Sequence, residues 1–120
     1  MLVGDTRIGV EGPFKIGLNE VAISIPLPVM AIELVRERLS ERHHTEATLQ
    51  ARIYTPDDAV KVGYLDRLVA PESLFEEAFA EARRLTQLPA TAYAQTKMKL
   101  RGATLAHIRD TLKADTTSPS

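Results

Sequence analysis

Glu20 is the residue whose surroundings first invite chemistry. It closes the stretch Ile16-Gly17-Leu18-Asn19-Glu20, and the apolar run Val21-Ala22-Ile23 follows it directly. A carboxylate among apolar neighbours has its charged form disfavoured, which suits it to taking up and returning protons. The local pattern alone fits a solvated loop carboxylate better than a proton-transfer acid, because most carboxylates stay in water. Both readings stand at this point. Asp66 is the second acid of interest, and its place in a strand-like segment favours a capping or ion-pair role. His43-His44 invites a metal reading. Neighbouring side chains on a helix point about 100° apart, so two adjacent histidines rarely share one ion. No cysteine accompanies them, so a surface loop is expected and no metal site. Lys97, Lys99 and Arg101 form a basic cluster in which phosphate contact is physically reasonable. A solvated helix face is the equal alternative.

The elements that must position these groups follow from punctuation and period. Phe14 and Ile16 alternate with Lys15 as in a strand, and Gly17 allows a tight turn ahead of Glu20. Residues 6 to 16 and 64 to 69 are expected as short strands, with helices making up most of the rest. Helical spacing of Val29, Ile32, Val35 and Leu39 predicts a helix from Val29 to Leu39 after the breaks at Pro26 and Pro28. A second helix is expected from Thr45 to Tyr54. Thr55-Pro56-Asp57-Asp58 then marks a helix start, with a cap, a first-turn proline and two acids at the positive end of the dipole. Gly63 ends that helix. Pro71 opens the longest predicted helix, Glu72 to about Leu88, whose stripe of Phe75, Ala78, Phe79, Ala82 and Leu85 suits core or subunit packing. Beyond Pro89 the periodicity continues with an interruption at Gly102. From Asp115 the chain reads as a loose tail.

Composition narrows the function classes. The chain has 120 residues, one domain's worth, and its 44% hydrophobic and 26% charged content is that of an ordinary globular protein. Fifteen basic and sixteen acidic residues leave a net charge of −1, without the surplus that backs nucleic-acid binding. A helical nucleic-acid binder built on residues 43 to 69 is therefore disfavoured. No apolar run approaches membrane-spanning length, so no membrane partner is expected. The lack of cysteine is compatible with a reducing compartment, and Ser118-Pro119-Ser120 is not a peroxisomal signal, so a cytoplasmic setting is expected.

The run from Thr6-Arg7-Ile8-Gly9 through Gly12-Pro13-Phe14 to Ile16-Gly17-Leu18-Asn19-Glu20 resembles the crotonase superfamily, the enoyl-CoA hydratases and isomerases. The resemblance covers about residues 2 to 113, in the order of the family's carboxy-terminal half. The Ile-Gly-Leu-Asn-Glu string is most similar to the isomerase branch. The resemblance implies an α/β fold, the carboxy-terminal portion of a ClpP/crotonase-like fold with short strands followed mostly by helices. It divides the chain into 1–70, the end of the core, 71–113, a helical oligomerisation segment, and 114–120, a flexible tail.

It further implies that Glu20 is catalytic, moving a proton along an enoyl thioester while backbone amides hold the thioester oxygen. In the family those oxyanion amides come from segments that would lie before residue 1, so the chain alone is expected to be incomplete and inactive. Thr96-Lys97 matches a family Thr-Lys whose lysine reaches coenzyme A phosphates. The implied partners are an acyl-CoA thioester and copies of the same chain, in a trimer or dimer of trimers. No separate cofactor is implied, because coenzyme A is part of the substrate. The Asp58-Ala59 to Leu65-Asp66 segment matches a family pattern that serves architecture. One departure bears on hydration: no glycine occurs between Gly17 and Gly63, where typical hydratases carry a glycine pair. Enoyl-CoA hydration is the alternative activity, and a catalytically inactive oligomerisation or binding module is the alternative class.

Overall fold

The computed structural model describes residues 2–117, and side chains as far as Leu112. The described residues form two two-stranded sheets and a set of helices. Strand β1, Ile8–Val10, pairs in parallel with β4, Arg67–Val69, matching Ile8 to Arg67 and Val10 to Val69. Strand β2, Ile16–Gly17, pairs antiparallel with β3, Ile53–Tyr54, matching Ile16 to Tyr54. The helices are α1 (Val29–Arg38), α2 (His44–Ala47), α3 (Pro56–Val62), α4 (Leu74–Thr86) and α5 (Ala90–Thr117).

Three expectations are corrected in detail. The strand expected over 6 to 16 is two strands: the Glu11 amide still bonds the Val69 carbonyl at 3.0 Å, residues 12–15 then leave the ladder, and Pro13 has no N–H to offer it. The strand expected over 64 to 69 begins only at Arg67, since the amides of Tyr64 and Leu65 bond back to the Ala59 carbonyl at 2.9 and 3.3 Å. The helix expected from Thr45 to Tyr54 is a single turn. Ala47, Leu49 and Ala51 recur at spacing two, which is not a helical period. The chain turns through Ala51 at φ 50° so that Ile53 and Tyr54 can pair with β2.

The segment from Thr55 to Gly63 forms as its residue types dictate. Thr55 Oγ1 accepts from the Asp58 amide at 3.3 Å, Pro56 sits in the first turn, and Gly63 closes the helix at φ 109°. A Cβ on Gly63 would lie 2.8 Å from the Arg38 carbonyl, so the position excludes a side chain on two counts. These elements enclose one core, built on Val35, Leu39, Ala47, Tyr54, Ala59, Val62, Tyr64 and Leu65.

A 3₁₀ turn, Pro71–Ser73, leads into α4. Phe75 and Phe79 of its apolar stripe are 77% and 62% exposed, so the core of this chain does not take them. Helix α5 packs along α1 and runs unbroken through Gly102 to Thr117. It thereby extends past the start of the segment read as a tail, whose residues 118–120 lie outside the described residues. A Cβ on Gly102 would meet only the Met98 methyl at 3.8 Å. Gly102→Ala should therefore raise stability by about 0.5–1 kcal/mol, through lower entropy of the unfolded chain. An unchanged or lower urea midpoint would show that the helix is not formed there.

Candidate active site

Glu20 is brought into place by two constraints. The first is the β2–β3 pairing, which is tight at Gly17: a Cβ there would lie 2.8 Å from the Arg52 carbonyl and 2.8 Å from Ile53 Cδ1. Gly17 is thus required by close approach of β3, whereas the sequence suggested a turn; its φ is not left-handed. The second is the 3₁₀ turn Val21–Ile23, for which Glu20 is the leading residue. The Glu20 carbonyl accepts from the amides of Ile23 at 3.1 Å and Ile25 at 2.8 Å, which fixes the backbone beneath the side chain. The side chain is half-buried, and its Oε2 is sealed without a hydrogen-bond partner among the described residues. Val21, Ile23 and Ile25 around it are exposed apolar residues.

Tyr64 is the nearby group that sequence reading missed. It is 1% exposed, and its hydroxyl also lacks a partner among the described residues. Its phenol is pushed up to about 12, first by burial and then by the Glu20 charge. The neighbouring Tyr54 hydroxyl is committed, donating to Glu46 Oε1 at 2.8 Å.

Lys97 belongs to a cluster built on Asp5. Its Nζ donates to Asp5 Oδ2 at 2.8 Å, and the same carboxylate accepts from Tyr93 OH at 2.6 Å and Arg101 Nη1 at 2.7 Å. Hydrogen bonds from Lys97 and then Tyr93 hold the Asp5 carboxyl below the usual carboxylate range. A cavity of about 480 Å³ opens beside this cluster, lined by Leu85, Leu88, Ala92, Tyr93 and Lys97 among others. Glu20 is not among its lining residues. Tyr93, Lys97 and Arg101 recur every four residues on one helix face, a spacing that would have flagged a shared acid.

A depressed acid stabilises the fold above its ordinary value, and that contribution is lost as pH falls through the lowered value. Asp5→Asn should therefore melt a few degrees lower at pH 6, with the gap closing below about pH 4 as the wild-type carboxylate is protonated. A gap independent of pH would remove the charge of Asp5 from the explanation.

Asp66 forms the ion pair expected of it. Its Oδ1 lies 3.2 Å from Arg7 Nη2, and its Oδ2 accepts from the Arg7 amide at 2.7 Å. His44 Nε2 lies 3.1 Å from the Leu39 carbonyl, within one turn of structure. Among the described residues no group of three or more His, Cys, Asp or Glu is arranged for a metal, and no helix is long and apolar enough to cross a membrane.

Comparison with known proteins agrees with this architecture. The family described as Enoyl-CoA hydratase/isomerase matches residues 1–118. The human protein named Enoyl-CoA delta isomerase 1, mitochondrial, is 27% identical over 115 residues, covering 95% of this chain and 38% of that protein. A solved enoyl-CoA hydratase/isomerase family protein from Pseudomonas syringae superposes with a TM-score of 0.91 at 37% identity, over 95% of this chain and 50% of that one. Human mitochondrial delta3-delta2-enoyl-CoA isomerase superposes with a TM-score of 0.88 at 27% identity, over 95% of this chain and 45% of that one. The chain thus spans half or less of the length of these relatives. With its α/β crotonase fold of short strands and packed helices, it belongs to the enoyl-CoA hydratase/isomerase family.

Proposed function

We propose that this chain supplies the proton-transferring acid of an enoyl-CoA isomerase, with Glu20 in that role. The observation that carries the reading is a half-buried carboxylate, backbone-fixed at the turn after β2, with one oxygen sealed and the exposed apolar residues Val21, Ile23 and Ile25 following it in the chain. Glu20 removes a proton from carbon 2 of a 3-enoyl thioester, leaving a dienolate. It returns the proton to carbon 4, which moves the double bond into conjugation with the thioester. One acid suffices for both transfers, because the carboxyl group that takes the proton from carbon 2 is the one that returns it to carbon 4. The names of the two human relatives support isomerisation. The family description names hydration as well, which makes it the second reading.

The direct test supplies the intact protein with a 3-enoyl-CoA and follows the absorbance of the conjugated product. Isomerisation is the expected result. Hydration of a 2-enoyl-CoA without isomerisation of the 3-enoyl compound would replace the first reading by the second.

The proposal extends to the partners. Lys97 contacts a phosphate of coenzyme A, which enters as part of the substrate, and no separate cofactor is required. A cytoplasmic setting belongs to the same proposal. The exposed faces of Phe75 and Phe79 form a subunit contact in a homo-oligomer, a trimer or dimer of trimers. Phe79→Asp should dissociate that assembly, because a charge would be desolvated without a partner. Sedimentation of the variant as an unchanged oligomer would show that Phe79 lies outside the contact.

A further inference from the structure

Glu20 and Tyr64 each present a sealed polar atom without a partner among the described residues, and the strand leading to Glu20 packs against the core that holds Tyr64. Tyr64 is held where α3 ends, by the bond from its amide to the Ala59 carbonyl at 2.9 Å. Its ring centroid lies 5.9 Å from that of Tyr54, and Tyr54 pairs with Ile16 across β2 and β3. Ile16 and Leu18, which lead to Glu20, pack against the core cluster containing Tyr64. The Glu20 charge is felt at the phenol, yet neither group hydrogen-bonds the other. Glu46 and Arg52, the charged groups beside Tyr54, are engaged with it and with each other.

A phenol supplies a donor and a carboxylate oxygen supplies an acceptor, and sealed polar atoms of that kind are commonly joined by one ordered water. We propose that the Tyr64 hydroxyl holds Glu20 Oε2 through a single bridging water, making Tyr64 a positioning residue for proton transfer. The positioning role rests on the reading of Glu20 as the proton-transferring acid; the bridge itself does not. With Oε2 held, Oε1 is the oxygen that meets the substrate. Without the hydroxyl the carboxylate swings, so transfer slows while substrate binding is unaffected.

Tyr64→Phe removes one oxygen and keeps the ring. In the intact protein it should lower kcat about three- to tenfold with KM unchanged. Thermal stability should be retained, which separates the loss from misfolding. Wild-type kcat in this variant overturns the positioning role. A second measurement needs no activity. In the same protein, a cycle of Tyr64→Phe, Glu20→Ala and the double variant, read by urea unfolding, should show non-additivity of about threefold or more in the unfolding equilibrium constant. Additive effects overturn the bridge. If Glu20→Gln leaves turnover intact, the catalytic reading of Glu20 falls instead, and the cycle still decides the bridge. If Glu20→Gln is inactive, additivity together with wild-type kcat in Tyr64→Phe removes this proposal alone.

Discussion

Glu20→Gln should abolish isomerisation in the intact protein, lowering kcat by about three orders of magnitude, the scale of a lost general base. Glutamine keeps the length, the planar head and the capacity to accept a hydrogen bond. What it removes is the ability to hold a proton between two carbons. The backbone that positions the residue is untouched, because the bonds from Ile23 and Ile25 end on the Glu20 carbonyl rather than on its side chain. Binding of a non-reacting acyl-CoA should therefore stay within about threefold of wild type, placing the defect in kcat. Turnover of a 3-enoyl-CoA at near wild-type rate would end the assignment. A parallel loss of binding and folding would show that the side chain is structural.

The second large effect concerns Arg7. Its guanidinium is nearly buried, donates to the Gly63 carbonyl at 2.7 Å and pairs with Asp66 at 3.2 Å. The two residues also exchange backbone contacts, Arg7 N–H to the Asp66 carboxylate and Asp66 N–H to the Arg7 carbonyl, each at 2.7 Å. This quartet bolts the entry of β1 to the entry of β4 and ties both to the end of α3. Asp66 is 43% exposed, so its pair with the buried Arg7 is partly screened, and Asp66→Ala should lower stability by about 1–2 kcal/mol through loss of the counter-ion and its hydrogen bonds. Arg7→Met with Asp66→Ala removes both charges and should be less damaging than Asp66→Ala alone. Urea unfolding of the wild type and the two variants decides the matter. A double variant worse than the single would mean that packing of the arginine stem outweighs its charge.

What could be read in the sequence was local. Thr55, Pro56 and Gly63 each satisfy a steric or hydrogen-bonding demand within a turn of themselves, so their helix was legible residue by residue. The α1 boundary was legible for the same reason. The loop carrying Glu20 gave no decisive local signal, and its importance came from the resemblance of the Ile16 to Glu20 string to a known family. The segment from Thr45 to Tyr54 was misread because its end is set by pairing with Ile16 and Gly17, more than thirty residues away in sequence. Asp5 was passed over for a similar reason: its partners Tyr93, Lys97 and Arg101 stand 88, 92 and 96 residues downstream. Tyr64 looked like an ordinary strand aromatic, and only its burial with an unpaired hydroxyl sets it apart.

The Asp5 cluster changes what it means for a ligand to use Lys97. That ammonium already has a carboxylate 2.8 Å away, with Arg101 and Tyr93 on the same acid. A phosphate arriving there faces an exchange of counter-ions rather than an empty cation. The net gain is the difference between two ion pairs, and the Asp5 carboxylate repels the newcomer for as long as it stays. Residues 4 and 5, held by Arg38 through their carbonyls at 2.7 and 3.3 Å, keep that competitor at its post. Anything that draws Lys97 away loosens one of the ties between the start of the chain and its last helix. Occupancy at one end of α5 is in this way felt at residue 5.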